Sequence, residues 1–144
     1  MTLKDIVNDY RCPLVNSLIT EGGELYVLER TGMDIRVLCK SSLGSYFEYN
    51  ASDWVCEFDI VCSCETEKYK IYGGEGSYGS DGMVYAVDKE TNSPVWLLFL
   101  DSLNPIVNIR ADNGIVYAYN NNGECLIVPL TEPLENMRLI KCDE

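Results

Sequence analysis

Residues 53–65, DWVCEFDIVCSCE, alternate without a break. Trp54, Cys56, Phe58, Ile60, Cys62 and Cys64 fall at one parity. Asp53, Glu57, Asp59, Ser63 and Glu65 fall at the other, with Val55 and Val61 among them. Successive side chains of an extended strand point to opposite sides, so a period of two predicts a long strand here. Its apolar face is expected to build the core and its carboxylate face to bear on function.

The rest of the chain reads as short elements around that strand. Residues 2–11 predict a helix: Thr2 can cap it, Asp5 sits near its positive end, and Leu3, Ile6, Val7 and Tyr10 form an apolar stripe. Pro13 ends it. Leu14, Val15, Leu18 and Ile19 fit either a further helical turn or a first strand. Residues 24–30 and 34–40 form a hairpin through Thr31-Gly32-Met33, with Leu25, Val27, Ile35, Val37 and Cys39 as inward positions. YFEYN, residues 46–50, reads as another strand. Strands follow at 69–72, 83–88, 95–101, 106–111, 115–119 and 124–129, with a shorter one near 137–140. Asn- and Gly-rich turns separate most of them. VWLLFL, residues 95–100, is continuously apolar, as a central strand covered on both faces would be.

Asp81-Gly-Met-Val-Tyr-Ala-Val87 is echoed by Asn113-Gly-Ile-Val-Tyr-Ala-Tyr119. Such hairpins are similar to pieces of propeller blades, but the chain is too short to close a propeller. The expected fold is mainly β: an antiparallel meander or sandwich with propeller-blade-like hairpins and a short N-terminal helix. At 144 residues the length prior gives one domain, 1–144.

Composition narrows the function more than the pattern does. Asp and Glu number 23 against 11 Lys and Arg, a net charge of −12. Nucleic acid is a poor partner for such a surface, because phosphate binding needs a cationic footprint. A basic protein partner suits it. No apolar run is long enough to cross a bilayer, and Asp5 and Asp9 stand where a signal peptide would be apolar. The expected location is the cytoplasm, with no membrane contact.

There is no histidine, which removes the commonest general base and metal ligand. Seven cysteines, an odd number lying mostly in apolar runs, suit a reducing compartment better than a disulfide set. Cys62-x-Cys64 reads as core, not as a zinc site. The segment at 73–82, GGEGSYGSDG, lacks the Lys-Ser/Thr of a phosphate loop and precedes a strand, so it reads as a contact loop. No cofactor, metal or catalytic residue is expected.

Residues 73–130 resemble the C-terminal part of bacterial immunity proteins of contact-dependent growth inhibition and other polymorphic toxin systems. The likeness lies in the Gly-Ser-x-Gly-Ser-Asp-Gly loop, the strand at 96–100, Asn104-Pro105 and the terminal Asn-Gly hairpin. It implies a cytoplasmic protein that neutralises a cognate toxin domain, basic and nuclease-like, by covering its active site. On this reading Asp53, Glu57, Asp59 and Glu65 supply the attracting field, and Glu75, Tyr78 and Asp81 supply loop contacts. The alternatives are an acidic β-rich interaction module unrelated to toxins and a histidine-free hydrolase working with two carboxylates.

Overall fold

A computed structural model describes residues 1–50 and 55–142. The chain opens with a helix, α1 (Leu3–Asp9), closed by a capping box. The Thr2 hydroxyl accepts the Asp5 N–H at 3.2 Å, and the Asp5 carboxylate accepts the Thr2 N–H at 2.9 Å. Tyr10, not Pro13, ends it by turning left-handed at φ 55°. That turn releases Arg11–Pro13 as a short strand, β1. The ambiguous stretch that follows contains a strand, β2 (Ser17–Thr20).

The hairpin of β3 (Glu24–Thr31) and β4 (Asp34–Ser42) lies as expected. After it, residues 46–50 depart from expectation and belong to a helix, α2 (Leu43–Tyr49). Ser42 caps α2 by accepting the Ser45 N–H at 3.0 Å. Leu43, Tyr46 and Phe47 then share a helical face against the core, a spacing too short for periodicity to separate from a strand. The remaining strands are β5 (Val55–Glu65), β6 (Tyr69–Gly76), β7 (Gly82–Asp88), β8 (Ser93–Leu100), β9 (Ile106–Asp112), β10 (Ile115–Asn120), β11 (Glu124–Pro129) and β12 (Arg138–Lys141). Among the described residues no helix is long and apolar enough to cross a membrane.

All these strands join one antiparallel sheet in the order β1-β5-β6-β7-β8-β2-β3-β4-β12-β11-β10-β9. The sheet curls until β9 packs across β5 and β6. Gly73 allows this approach: a Cβ there would stand 2.6 Å from Ile106 Cγ2. The curl encloses an inner core that includes Val84, Trp96, Leu98, Ile109, Val116 and Leu126. Trp96 donates its indole N–H to Leu130 O at 2.8 Å, so its one polar atom is satisfied. The opposite face carries an outer core, where α1 and α2 bring Leu3, Ile6 and Leu43 onto Phe58, Leu97 and Phe99.

β8 supplies both cores alternately, Trp96, Leu98 and Leu100 inward and Leu97 and Phe99 outward, which explains its unbroken apolar run. The two repeat copies become β7 and β10. Val84 and Ala86, like Val116 and Ala118, face the inner core. They build one sheet instead of separate blades. Val37 and Cys39, expected inward, are exposed, because β4 is bare along most of its length.

Ionic and amide groups tie one end of the curl together. Arg30 donates to Glu124 Oε2 at 2.7 Å and to Ser102 O at 2.7 Å. Asn120 donates to Glu124 Oε1 at 2.9 Å and to Leu103 O at 2.6 Å. Three segments distant in sequence, at residues 30, 102–103 and 120–124, are thus held by one polar network.

Candidate functional site

β5 keeps its period of two in burial, yet it changes face midway. Its register with β6 runs Asp59↔Glu75, Ile60↔Gly74 and then Cys62↔Gly73. Val61 is therefore an extra residue, a β-bulge, and positions of equal parity on its two sides point to opposite faces. Cys56, Phe58 and Ile60 pack in the outer core, whereas Cys62 and Cys64 pack in the inner one. The expectation that all six apolar positions share a face fails at this bulge.

The carboxylates divide in the same way. Asp59 stands directly opposite Glu75, and Glu57 shares their side. Glu65 stands opposite Lys70, in line with Val87 on the outer-core side. There it is neutralised by Lys89 at 3.5 Å and Lys70 at 3.9 Å. Glu65 thus leaves the expected acidic face. Asp53 lies outside the described residues, as does Trp54.

The glycine-rich segment is also divided. Its first half is strand, since β6 runs to Gly76, and only residues 77–81 turn. Gly74 is required by close approach, because a Cβ there would overlap the carbonyl oxygen of Asp59. The turn lies beside Glu57, whose carbonyl accepts the Ser77 hydroxyl at 3.0 Å. Tyr78 is 61% exposed at its tip. Asp81, expected as a contact, is 2% exposed and holds the turn from inside. Its Oδ2 accepts the Tyr78 N–H at 3.2 Å and the Cys56 S–H at 3.5 Å.

Burial, with Asp101 nearby, raises the Asp81 carboxyl above the usual aspartate range despite those two donors. A folded-state value above the unfolded one means protonation favours folding. The stabilisation is complete below the unfolded value and is lost as pH rises through the folded one. Asp81→Asn keeps an acceptor for Tyr78 and removes the buried charge. Its urea midpoint relative to wild type is expected to be higher at pH 7 than at pH 4. An equal offset at both values would show that Asp81 titrates as in the unfolded chain.

Glu57 and Asp59 line a cleft of about 510 Å³ with Asp9, Tyr10, Arg11 and Ser77. It opens where β1 leaves the edge of β5. Their pairing spans Arg11↔Glu57 to Pro13↔Val55, and beyond it Phe58 N–H donates to Tyr10 O at 3.0 Å. The left-handed turn places Tyr10 edge-on to Phe58, with ring centroids 5.8 Å apart, and leaves it 51% exposed. Arg11 reaches Glu57 at 3.2 Å, but both side chains are mostly in solvent, so this pair contributes little. Asp59 and Glu75 have no ion-pair partner among the described residues. Carboxylates directly opposite on neighbouring strands repel each other. The arrangement favours a cationic group presented to Asp59 and Glu75, while Tyr10, packed on Phe58 across the strand, is exposed along the cleft that Glu57 and Asp59 also line.

Glu57, Asp59 and Ser77 line the cleft, and Glu75 stands opposite Asp59. The contributions of Asp9, Tyr10 and Ser77 were not expected. Tyr10 and Phe58 are far apart in the chain, and only the β1–β5 pairing brings them together. No family model matches the chain, and no curated protein matches it significantly.

Proposed function

We propose that this protein binds a basic protein domain at the cleft between the α1–β1 turn and β5, as an immunity protein binds its toxin. The observation that carries the reading is the opposed pair Asp59 and Glu75, carboxylates with no ion-pair partner among the described residues, beside an open cleft that adds Asp9, Glu57 and Tyr10. A lysine or arginine from the partner relieves their repulsion, and Tyr10 offers an exposed ring on the neighbouring wall of the cleft. The −12 net charge supplies longer-range attraction and speeds encounter. Tyr78, at the tip of a turn held by Asp81, adds an amphipathic contact of the kind that dominates interfaces. Inhibition then follows from occlusion of the partner's active site, with no chemistry by this chain.

Co-expression with a candidate basic toxin domain tests the reading. The wild-type protein is expected to restore growth, and the triple change Glu57→Lys, Asp59→Lys, Glu75→Lys to lose that protection while remaining folded. Protection that survives all three reversals would place the contact elsewhere. A wild-type protein that gives no protection would favour an acidic interaction module unrelated to toxins.

A further inference from the structure

Among the described residues, the outer edge of β4 has no strand partner beyond its first residue. β12 meets it at the pair Arg138↔Asp34, and the next contact, Leu139 N–H to Met33 O at 3.2 Å, lies on the turn side of that pair. No described strand pairs with this edge over residues 35–42. A strand edge presents alternating unpaired N–H and C=O groups, a template for one more strand. Here it also carries Val37 and Leu38, 44% and 53% exposed. The two basic residues on this stretch are already matched by β3, Arg36 by Glu29 and Lys40 by Glu24 at 2.7 Å. The edge is thus locally neutral on a chain of net charge −12. Two copies of such a chain meet with less repulsion here than along its acidic surfaces.

We infer that β4 is the seam of a homodimer, with two copies pairing antiparallel about a two-fold axis centred on Cys39. In an isologous antiparallel pair, one residue faces its own copy and the register follows from that choice. An axis on Arg36 or Lys40 opposes that residue to itself. Leu38 is the extra residue of a β-bulge and centres no regular pair. An axis on Val37 puts the second copy's Ser41 opposite Asp34, where Arg138 already sits. With Leu38 skipped, an axis on Cys39 sets Val37 against Lys40, Arg36 against Ser41 and Ile35 against Ser42, with no like charges directly opposite. The β-bulge that turns Leu38 outward, between Val27↔Cys39 and Leu28↔Val37, is carried by both copies, so the paired edges bend alike. Cys39 is the one exposed cysteine of the seven, and this register sets it against itself.

Sedimentation of the full chain over a wide concentration range is expected to show a reversible monomer–dimer equilibrium. Val37→Lys places a cation opposite Lys40 twice per dimer, whereas Val37→Glu places an anion there. Their dissociation constants are expected to differ about tenfold, with the glutamate variant tighter than wild type and the lysine variant weaker. Val37 is exposed, and circular dichroism of both variants checks that the fold is unchanged. Opposed cysteines meet the distance needed for a disulfide, so diamide, itself reduced to the hydrazine as two thiols are oxidised, is expected to link the dimer covalently. Cys39→Ser should abolish that link and still sediment as a dimer. A chain that stays monomeric, a dimer that fails to cross-link through Cys39, or a dimer tightened by Val37→Lys would each overturn the inference. The seam shares no residue with the acidic cleft, so either site can fail without the other.

Discussion

Glu124→Ala is expected to cost about 3–5 kcal/mol of folding stability, the range for removing one partner of a buried ion pair. Glu124 and Arg30 are 6% and 14% exposed in their side chains and meet at 2.7 Å. Removing Glu124 leaves the Arg30 guanidinium with two carbonyls, Gly32 O at 2.9 Å and Ser102 O at 2.7 Å, and no counter-charge. It also strips Asn120 of an acceptor in a buried site. Domains of this size are stable by only about 5–15 kcal/mol, so the variant should unfold at a markedly lower urea concentration. The pair itself contributes less than this loss suggests, because desolvating two charges offsets most of their attraction. The double change Arg30→Met, Glu124→Leu is therefore expected to be milder than the sum of the singles, with a coupling of about 1–3 kcal/mol in a double-mutant cycle. Additive losses would show that the two side chains act independently.

Gly74→Ala is expected to destabilise by about 3 kcal/mol or more, at the upper end of what overpacking costs. The added methyl would overlap the carbonyl oxygen of Asp59, a main-chain atom in the neighbouring strand. It cannot turn aside as a side chain could. Relief requires β5 and β6 to part at the bulge, which is where β5 changes face. Gly22→Ala is the matched control, since a Cβ there meets nothing within 4 Å. Equal losses at the two glycines, read from urea midpoints, would mean that the close approach does not hold β5 in place.

The long strand was legible because thirteen residues of alternation leave little else for the chain to do. Its bulge was not, since inserting Val61 preserves the period while reversing the faces. That single residue is why Glu65 was grouped with Glu57 and Asp59. The face assignment needed the partner strand, whose pairing skips from Gly74 to Gly73 across Val61. Glycines 73, 74 and 76 read as loop from composition, whereas their bareness serves close packing against Ile106, Asp59 and Asp81. VWLLFL was read correctly because burial on both faces leaves no polar position to alternate with. Helix α2 was missed because a seven-residue segment holds fewer than two turns of apolar repeat. Glu57 and Asp59 in the cleft, and Glu75 opposite Asp59, follow from strand spacing and pairing. Asp9 and Tyr10 depend on a left-handed turn at a tyrosine, which local sequence does not announce.

The central claim is that Asp59 and Glu75, with Glu57, receive the cationic face of a partner. Titration of a basic toxin domain, one that the wild-type chain binds, with Asp59→Lys and with Glu65→Lys, at low and high salt, tests it most directly. Both changes add the same charge to the chain, so the long-range field shifts equally. Asp59→Lys is expected to weaken binding about tenfold or more, because like charges then meet in the interface, and to flatten the salt dependence. Glu65→Lys, on the opposite side of the bulge, is expected to change affinity no more than about twofold, through net charge alone. Equal losses from the two variants, or binding indifferent to salt, would contradict the account.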